Sequence, residues 1–105
     1  MAVKGTFKAS LNENEQLLRQ LIGQQRGAIF RRVPVPDPPG AEVLLVFFEV
    51  EMDQTRLEFV VIRPLLEGEV RLDELPERLV PSTVPIKSVE QAVAYLYRGK
   101  VLLLR

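Results

Sequence analysis

The chain has no cysteine, no histidine and no tryptophan. Without cysteine there are no disulfides, thiolate nucleophiles, iron–sulfur clusters or cysteine zinc sites, and without histidine the usual imidazole base and metal ligand are gone. Net charge is absent as well: 14 Lys and Arg balance 14 Asp and Glu, so no global field draws the chain toward nucleic acid or an anionic membrane. The longest apolar run, Val43 to Phe48, is six residues, where about 20 are needed to span a bilayer as a helix. The start, Met1-Ala2-Val3-Lys4-Gly5, lacks the apolar stretch of a signal peptide, and Gly is not in the second position that myristoylation requires. These absences predict a soluble, cytoplasmic chain with no catalytic residues, no cofactor and no metal.

What is there is enough for one core. The 105 residues are 47% hydrophobic and 27% charged, the balance of a folded soluble domain, and a chain this short does not hold a second core. Residues 1–9 show little periodicity and read as a flexible lead, leaving 10–105 as the domain.

Ser10 with Glu13 forms a capping box, which satisfies two orphaned N–H groups at a helix start. Leu11, Leu17, Leu18, Leu21 and Ile22 follow on one side, and Gly23 suits the stop, so the spacing predicts a helix over 11–22. Ala28 to Val33 has strand composition, and the four prolines of Pro34-Val35-Pro36-Asp37-Pro38-Pro39-Gly40 are expected to end it in a stiff turn. Glu42 to Glu51 reads as the central strand, apolar on both alternating faces as in a sheet covered on both sides.

Asp53 to Leu66 is ambiguous from pattern alone. Leu57, Phe59 and Val61 alternate as in a strand, which would make a hairpin with the preceding one. Asp53 also suits the cap of a helix with Leu57, Val60, Val61 and Leu65 on one face. Beyond it, Asp73 to Val80 reads as a short helical turn and Thr83 to Lys87 as an extended connector. Ser88 with Gln91 then caps a second clean helix whose buried stripe is Val89, Ala92, Val93 and Leu96, stopped by Gly99. Lys100 to Arg105 reads as a final strand, and an apolar run there suggests that the chain was cut from something longer. The expected fold is a single α/β domain, a small mixed β-sheet of three or four strands with packed helices.

Few residues point to chemistry. Arg31 and Arg32 are adjacent on a strand, so they point to opposite faces and do not form a joint clamp. Either guanidinium could hold a carboxylate or phosphate, but covering the sheet or pairing with a neighbouring acid is the favoured reading. Glu49, Glu51 and Asp53 follow the central strand, where α/β proteins place site residues. As a set they would act as acid and base or hold Mg²⁺; with no phosphate clamp beside them, a solvated strand end is favoured. Charge is also distributed unevenly. Residues 41–77 hold ten acids and three bases, a net of −7, and residues 1–32 hold six bases and two acids, a net of +4. That asymmetry suits a partner or, preferably, complementarity within the molecule. Tyr95, Tyr97, Arg98 and Lys100 make a poor nucleic-acid cluster, because residues two apart on a helix do not face the same way.

The order of these elements resembles the N-terminal soluble domain of GerA-type spore germinant receptor A subunits. Ser10-Leu11-Asn12-Glu13-Asn14 with Leu17, Leu18 and Leu21 is similar to the family's opening helix, and Ile29-Phe30-Arg31-Arg32 to its first strand. Leu44 to Val50, then Asp53 and Ile62-Arg63-Pro64-Leu65-Leu66, resembles its second strand and second helix, and Val89 to Gly99 with Val101-Leu102-Leu103 resembles its unit of helix, glycine and apolar strand. The family often carries Asp and Gly after an aromatic where this chain has Glu49-Val50-Glu51-Met52, and the proline-rich Pro34–Gly40 turn is unusual for it.

The resemblance implies that Asp53 to Leu66 is a helix and that the chain is a non-catalytic sensory or assembly domain. It would be either the first part of a longer receptor or a small free-standing relative. The implied partners are other receptor subunits or the rest of its own receptor chain, at the cytoplasmic side of the spore inner membrane, with the membrane reached only through a transmembrane part not in this sequence. A second copy of the chain is a further candidate. Arg31, Arg32, Glu49 and Glu51 are the candidate partner contacts. The alternative is an independent small interaction module outside germination.

Overall fold

The computed structural model describes residues 10–36, 39–68 and 88–105. The expected lead at 1–9, the helical turn at Asp73–Val80 and the connector at Thr83–Lys87 lie outside the described residues, as do Asp37 and Pro38 of the proline turn.

Helix α1 spans Leu11–Ile22, the predicted bounds, with the Ser10 hydroxyl accepting from the Glu13 N–H. Strand β1, Ala28–Val35, runs antiparallel to β2, Ala41–Phe48, and a short strand β3, Leu102–Leu104, pairs antiparallel with the other side of β2. The order β1-β2-β3 puts β2 at the centre, as expected. Both described pairings are antiparallel, whereas the sequence suggested a mixed sheet.

Leu44, Val46 and Phe48 of β2 pack on one side of the sheet with Leu18 and Ile22 of α1, Leu102 of β3, and Val89, Ala92, Val93 and Leu96 of helix α4, Val89–Tyr97. Val43, Leu45 and Phe47 pack on the other side with Val33, Val35, Leu57, Val61, Ile62 and Leu65. These last four come from a helical rod of three consecutive pieces: α2, Gln54–Leu57; a π-helical turn, Glu58–Ile62; and α3, Arg63–Leu66. The sheet is thus roofed on both sides, which is the physical reason β2 can be apolar on both faces. No helix among the described residues is long and apolar enough to cross a membrane.

The elements depart from expectation in three places, each for a local reason. Pro34 does not end β1: it stays in register opposite Glu42, and Val35 opposite Ala41, because β1 is an edge strand where a missing N–H is tolerated. Strand β2 ends at Phe48 rather than Glu51, since Glu49–Glu51 curls into a 3₁₀ turn that leads the chain across to the rod. The final strand shortens to Leu102–Leu104 because α4 closes with a Schellman arrangement: Gly99, at φ 79°, donates to the Leu96 carbonyl and Lys100 to the Tyr95 carbonyl.

Candidate interaction surface

Arg31 and Arg32 point to opposite sides of the sheet, as strand geometry demands, and each meets an acid. Arg31 reaches Glu58 of the rod at 3.6 Å, with both groups well exposed. Arg32 is the better held of the two. Its Nε donates to Glu15 Oε1 at 2.7 Å and its Nη2 to Asn12 Oδ1 at 2.7 Å, while Nη1 lies 3.6 Å from Glu42. Arg19 donates to the other Glu15 oxygen at 2.9 Å and lays its guanidinium over the Phe30 ring at 4.3 Å. Hydrogen bonds from Arg19 first and Arg32 second hold the Glu15 carboxyl below the usual glutamate range, against the opposing effect of burial. This cluster ties the first half of α1 to β1 and β2. In both arginines the basic N-terminal part meets acids, and two of them, Glu42 and Glu58, belong to the acidic middle. Arg31 and Arg32 are therefore bound within the fold, which uses part of the charge asymmetry internally.

The three acids after β2 do not share a face. Period-two alternation stops at Phe48, so Glu49 stands exposed in the 3₁₀ turn, and the Asp53 carboxylate is engaged as a helix cap, accepting from the Arg56 N–H at 3.1 Å. The Glu51 side chain lies outside the described part. No group of three or more acids among the described residues is placed to hold a metal ion.

The rod carries a surface that the sequence reading missed. Its inward side is Leu57, Val61, Ile62 and Leu65, all buried. Val60, expected inside, is turned out, and Ile62 takes its place. The cause lies one turn further on. Pro64 has no N–H to give the Val60 carbonyl, and its ring would collide with that carbonyl in a regular α-helix. The turn before it opens instead into i+5 spacing, with the Arg63 N–H bonded to the Glu58 carbonyl, and the side chains that follow are displaced around the axis.

The outward side consequently exposes Arg56, Phe59, Val60, Arg63 and Leu66. Phe59 is 57%, Leu66 41% and Val60 37% exposed. The Arg63 guanidinium sits over the Phe59 ring, 4.6 Å from its centroid. Neither Arg56 nor Arg63 makes an ion pair among the described residues. The alternation of Phe59 with Leu57 and Val61 disguised this stripe as a strand; the cations at 56 and 63, seven residues apart around an apolar pair, are the signal that could have found it.

A second exposed group lies elsewhere. Tyr97 is exposed beside Phe48, ring centroids 5.3 Å apart, and Arg98 stands 5.8 Å from the Tyr95 ring. Val50 is exposed in the 3₁₀ turn next to Gly27, whose carbonyl accepts from the Glu49 N–H at 2.8 Å. These groups are single side chains, whereas the rod presents a row. The chain matches no protein-family model, and neither a curated protein nor a solved structure matches it.

Proposed function

We propose that the chain is a non-catalytic assembly domain that works through protein–protein contacts, with the outward stripe of the rod as its contact face. The observation that carries this reading is the rod's outward side: Phe59, Val60 and Leu66 left in solvent beside Arg56 and Arg63, neither of which makes an ion pair among the described residues, on a helix whose other side is committed to the core. Aromatic and Arg side chains together are the composition of interaction hot spots. The resemblance of the order of its elements to germinant receptor A subunits suggests the context, in which the partner would be another receptor subunit or an adjoining part of the receptor, and the domain would relay a conformational signal during nutrient-triggered germination.

A photoreactive phenylalanine analogue placed at Phe59, and at exposed Gln20 of α1 as control, tests the reading in spores that make the protein. Adducts from position 59 that contain a receptor subunit are the expected result. No adduct from position 59 above the Gln20 control overturns the contact face. Adducts with no receptor subunit among them replace the germination context with an independent interaction module.

A further inference from the structure

We infer that Pro34 guards the outer edge of the sheet, keeping a second copy of this chain from adding its own β1 to that of the first; the inference stands apart from the contact face proposed on the rod. The phase of β1 follows from one bond. The Glu49 N–H donates to the Gly27 carbonyl at 2.8 Å, and the register continues that pair as Ala28 opposite Phe48 and Ile29 opposite Phe47. Bonded and non-bonded pairs alternate in an antiparallel ladder. Ile29, Arg31 and Val33 therefore turn their backbone N–H and C=O toward β2, whereas Ala28, Phe30, Arg32 and Pro34 turn theirs to the outer edge. At that phase Pro34 costs the ladder with β2 no bond and removes a donor from the outer edge. The Ala28 N–H is occupied as well, by the Gln25 carbonyl at 3.3 Å. No described strand pairs with this edge, and a proline whose nitrogen faces outward is the mark of a strand side left without a neighbour.

The edge needs such a guard. Ile29, Phe30, Val33 and Val35 give β1 the branched and aromatic composition that favours pairing, and an open strand of that kind is a template for another. Two copies meeting edge to edge would pair their β1 strands antiparallel about a two-fold axis. Outward-facing residues must then oppose one another, which leaves two registers of longest overlap. In one, Pro34 faces Ala28 of the second copy and Arg31 faces Arg31 of the second copy; in the other, Pro34 faces Phe30 and Arg32 faces Arg32. Either way the proline comes twice to a position where an N–H should donate across the seam, with a ring carbon in its place. Two guanidiniums also stand directly opposite, where like charges destabilise a strand pair. Both obstacles lie in the same eight-residue strand.

Hydrogen exchange on the isotopically labelled full chain, together with sedimentation equilibrium, tests this. In the native chain the amides of Ile29, Arg31 and Val33 are expected to be protected and those of Phe30 and Arg32 to exchange freely. Protection of Phe30 and Arg32 in the native chain would mean that the edge is already covered, and overturns the inference. Pro34→Val and Pro34→Ala each return the missing N–H and so add two bonds per dimer, which is expected to strengthen self-association by roughly tenfold or more. The amides at 30, 32 and 34 should become protected in those dimers, with circular dichroism confirming that the variants are folded. Folded variants that associate no more strongly than the native chain overturn the guard, as do dimers whose new protection falls on other elements. Should neither variant fold, the exchange pattern of the native chain still decides whether the outer edge carries the residues assigned to it.

Discussion

Leu44 and Leu45 are neighbours in β2, both fully buried, and they face different cores. Leu44 packs among residues of α1, α4 and β3, Leu45 among those of the rod and β1. If the sheet is roofed on both sides, Leu44→Ala and Leu45→Ala each remove a leucine side chain and leave a cavity, at a cost of about 3 kcal/mol within the usual 2–5 range. A chain of this length is stable by roughly 5–15 kcal/mol, so each single variant stays folded. The cavities open into separate packed clusters, so the double variant loses more than either single one. Urea denaturation followed by circular dichroism at 222 nm reads this directly. With a slope of about 1–1.5 kcal/mol per molar, each single variant lowers the midpoint by roughly 2–3 M. The exposed control Val50→Ala changes stability by under about 0.5 kcal/mol. A one-sided sheet predicts one large cost and one near zero, and a midpoint shift below about 0.5 M for either leucine would refute the two-layered core.

Four further outcomes follow from the geometry. Arg32→Gln destabilises by about 1–2 kcal/mol, because Glu15 and Asn12 lose a charge-assisted partner, whereas Arg31→Gln costs under about 0.5 kcal/mol, its 3.6 Å pair being exposed on both sides; equal costs in urea melts would contradict the assignment of Arg32 as the anchor. The Glu15 carboxyl titrates below its unfolded value of about 4.3, so its contribution is present above that pH and is lost as pH falls through the folded value; the stability gap between the native chain and Glu15→Gln should narrow on acidification, and a gap that widens sinks the argument. Gly99→Ala costs about 1 kcal/mol or more, since φ is 79° there, and Ser88→Ala costs about 1 kcal/mol through the lost bond to the Gln91 N–H; thermal melts unchanged by both would show that α4 is not closed by these caps. Pro64→Ala restores a donor to the rod, and its new N–H is expected to bond the Val60 carbonyl and be protected from hydrogen exchange; an amide at 64 that exchanges freely would mean that the π turn has another cause.

Wherever the deciding interaction is local, the sequence alone determined the outcome. Ser10, Asp53 and Ser88 each cap the helix that follows by bonding an N–H three residues on, a contact made within one turn whatever the rest of the chain does. The buried stripe of α4, the bounds of α1 and the stop at Gly99 follow from spacing and backbone freedom in the same way. The apolar faces of β2 already required two covering layers.

Only the tertiary structure decided the rest. Asp53 to Leu66 satisfies both a strand and a helix period, and burial of Leu57, Val61, Ile62 and Leu65 against the Leu45 side of the sheet selects the helix. The role of Pro34 depended on β1 lying at an edge, and the fate of Arg32 on Glu15 arriving from 17 residues away. The outward stripe of the rod exists because Pro64 widened one turn while the inner side chains stayed pinned to the sheet, so Val60 and Phe59 were left facing water. A periodicity says that side chains share a face; which way that face points is set by what packs against it.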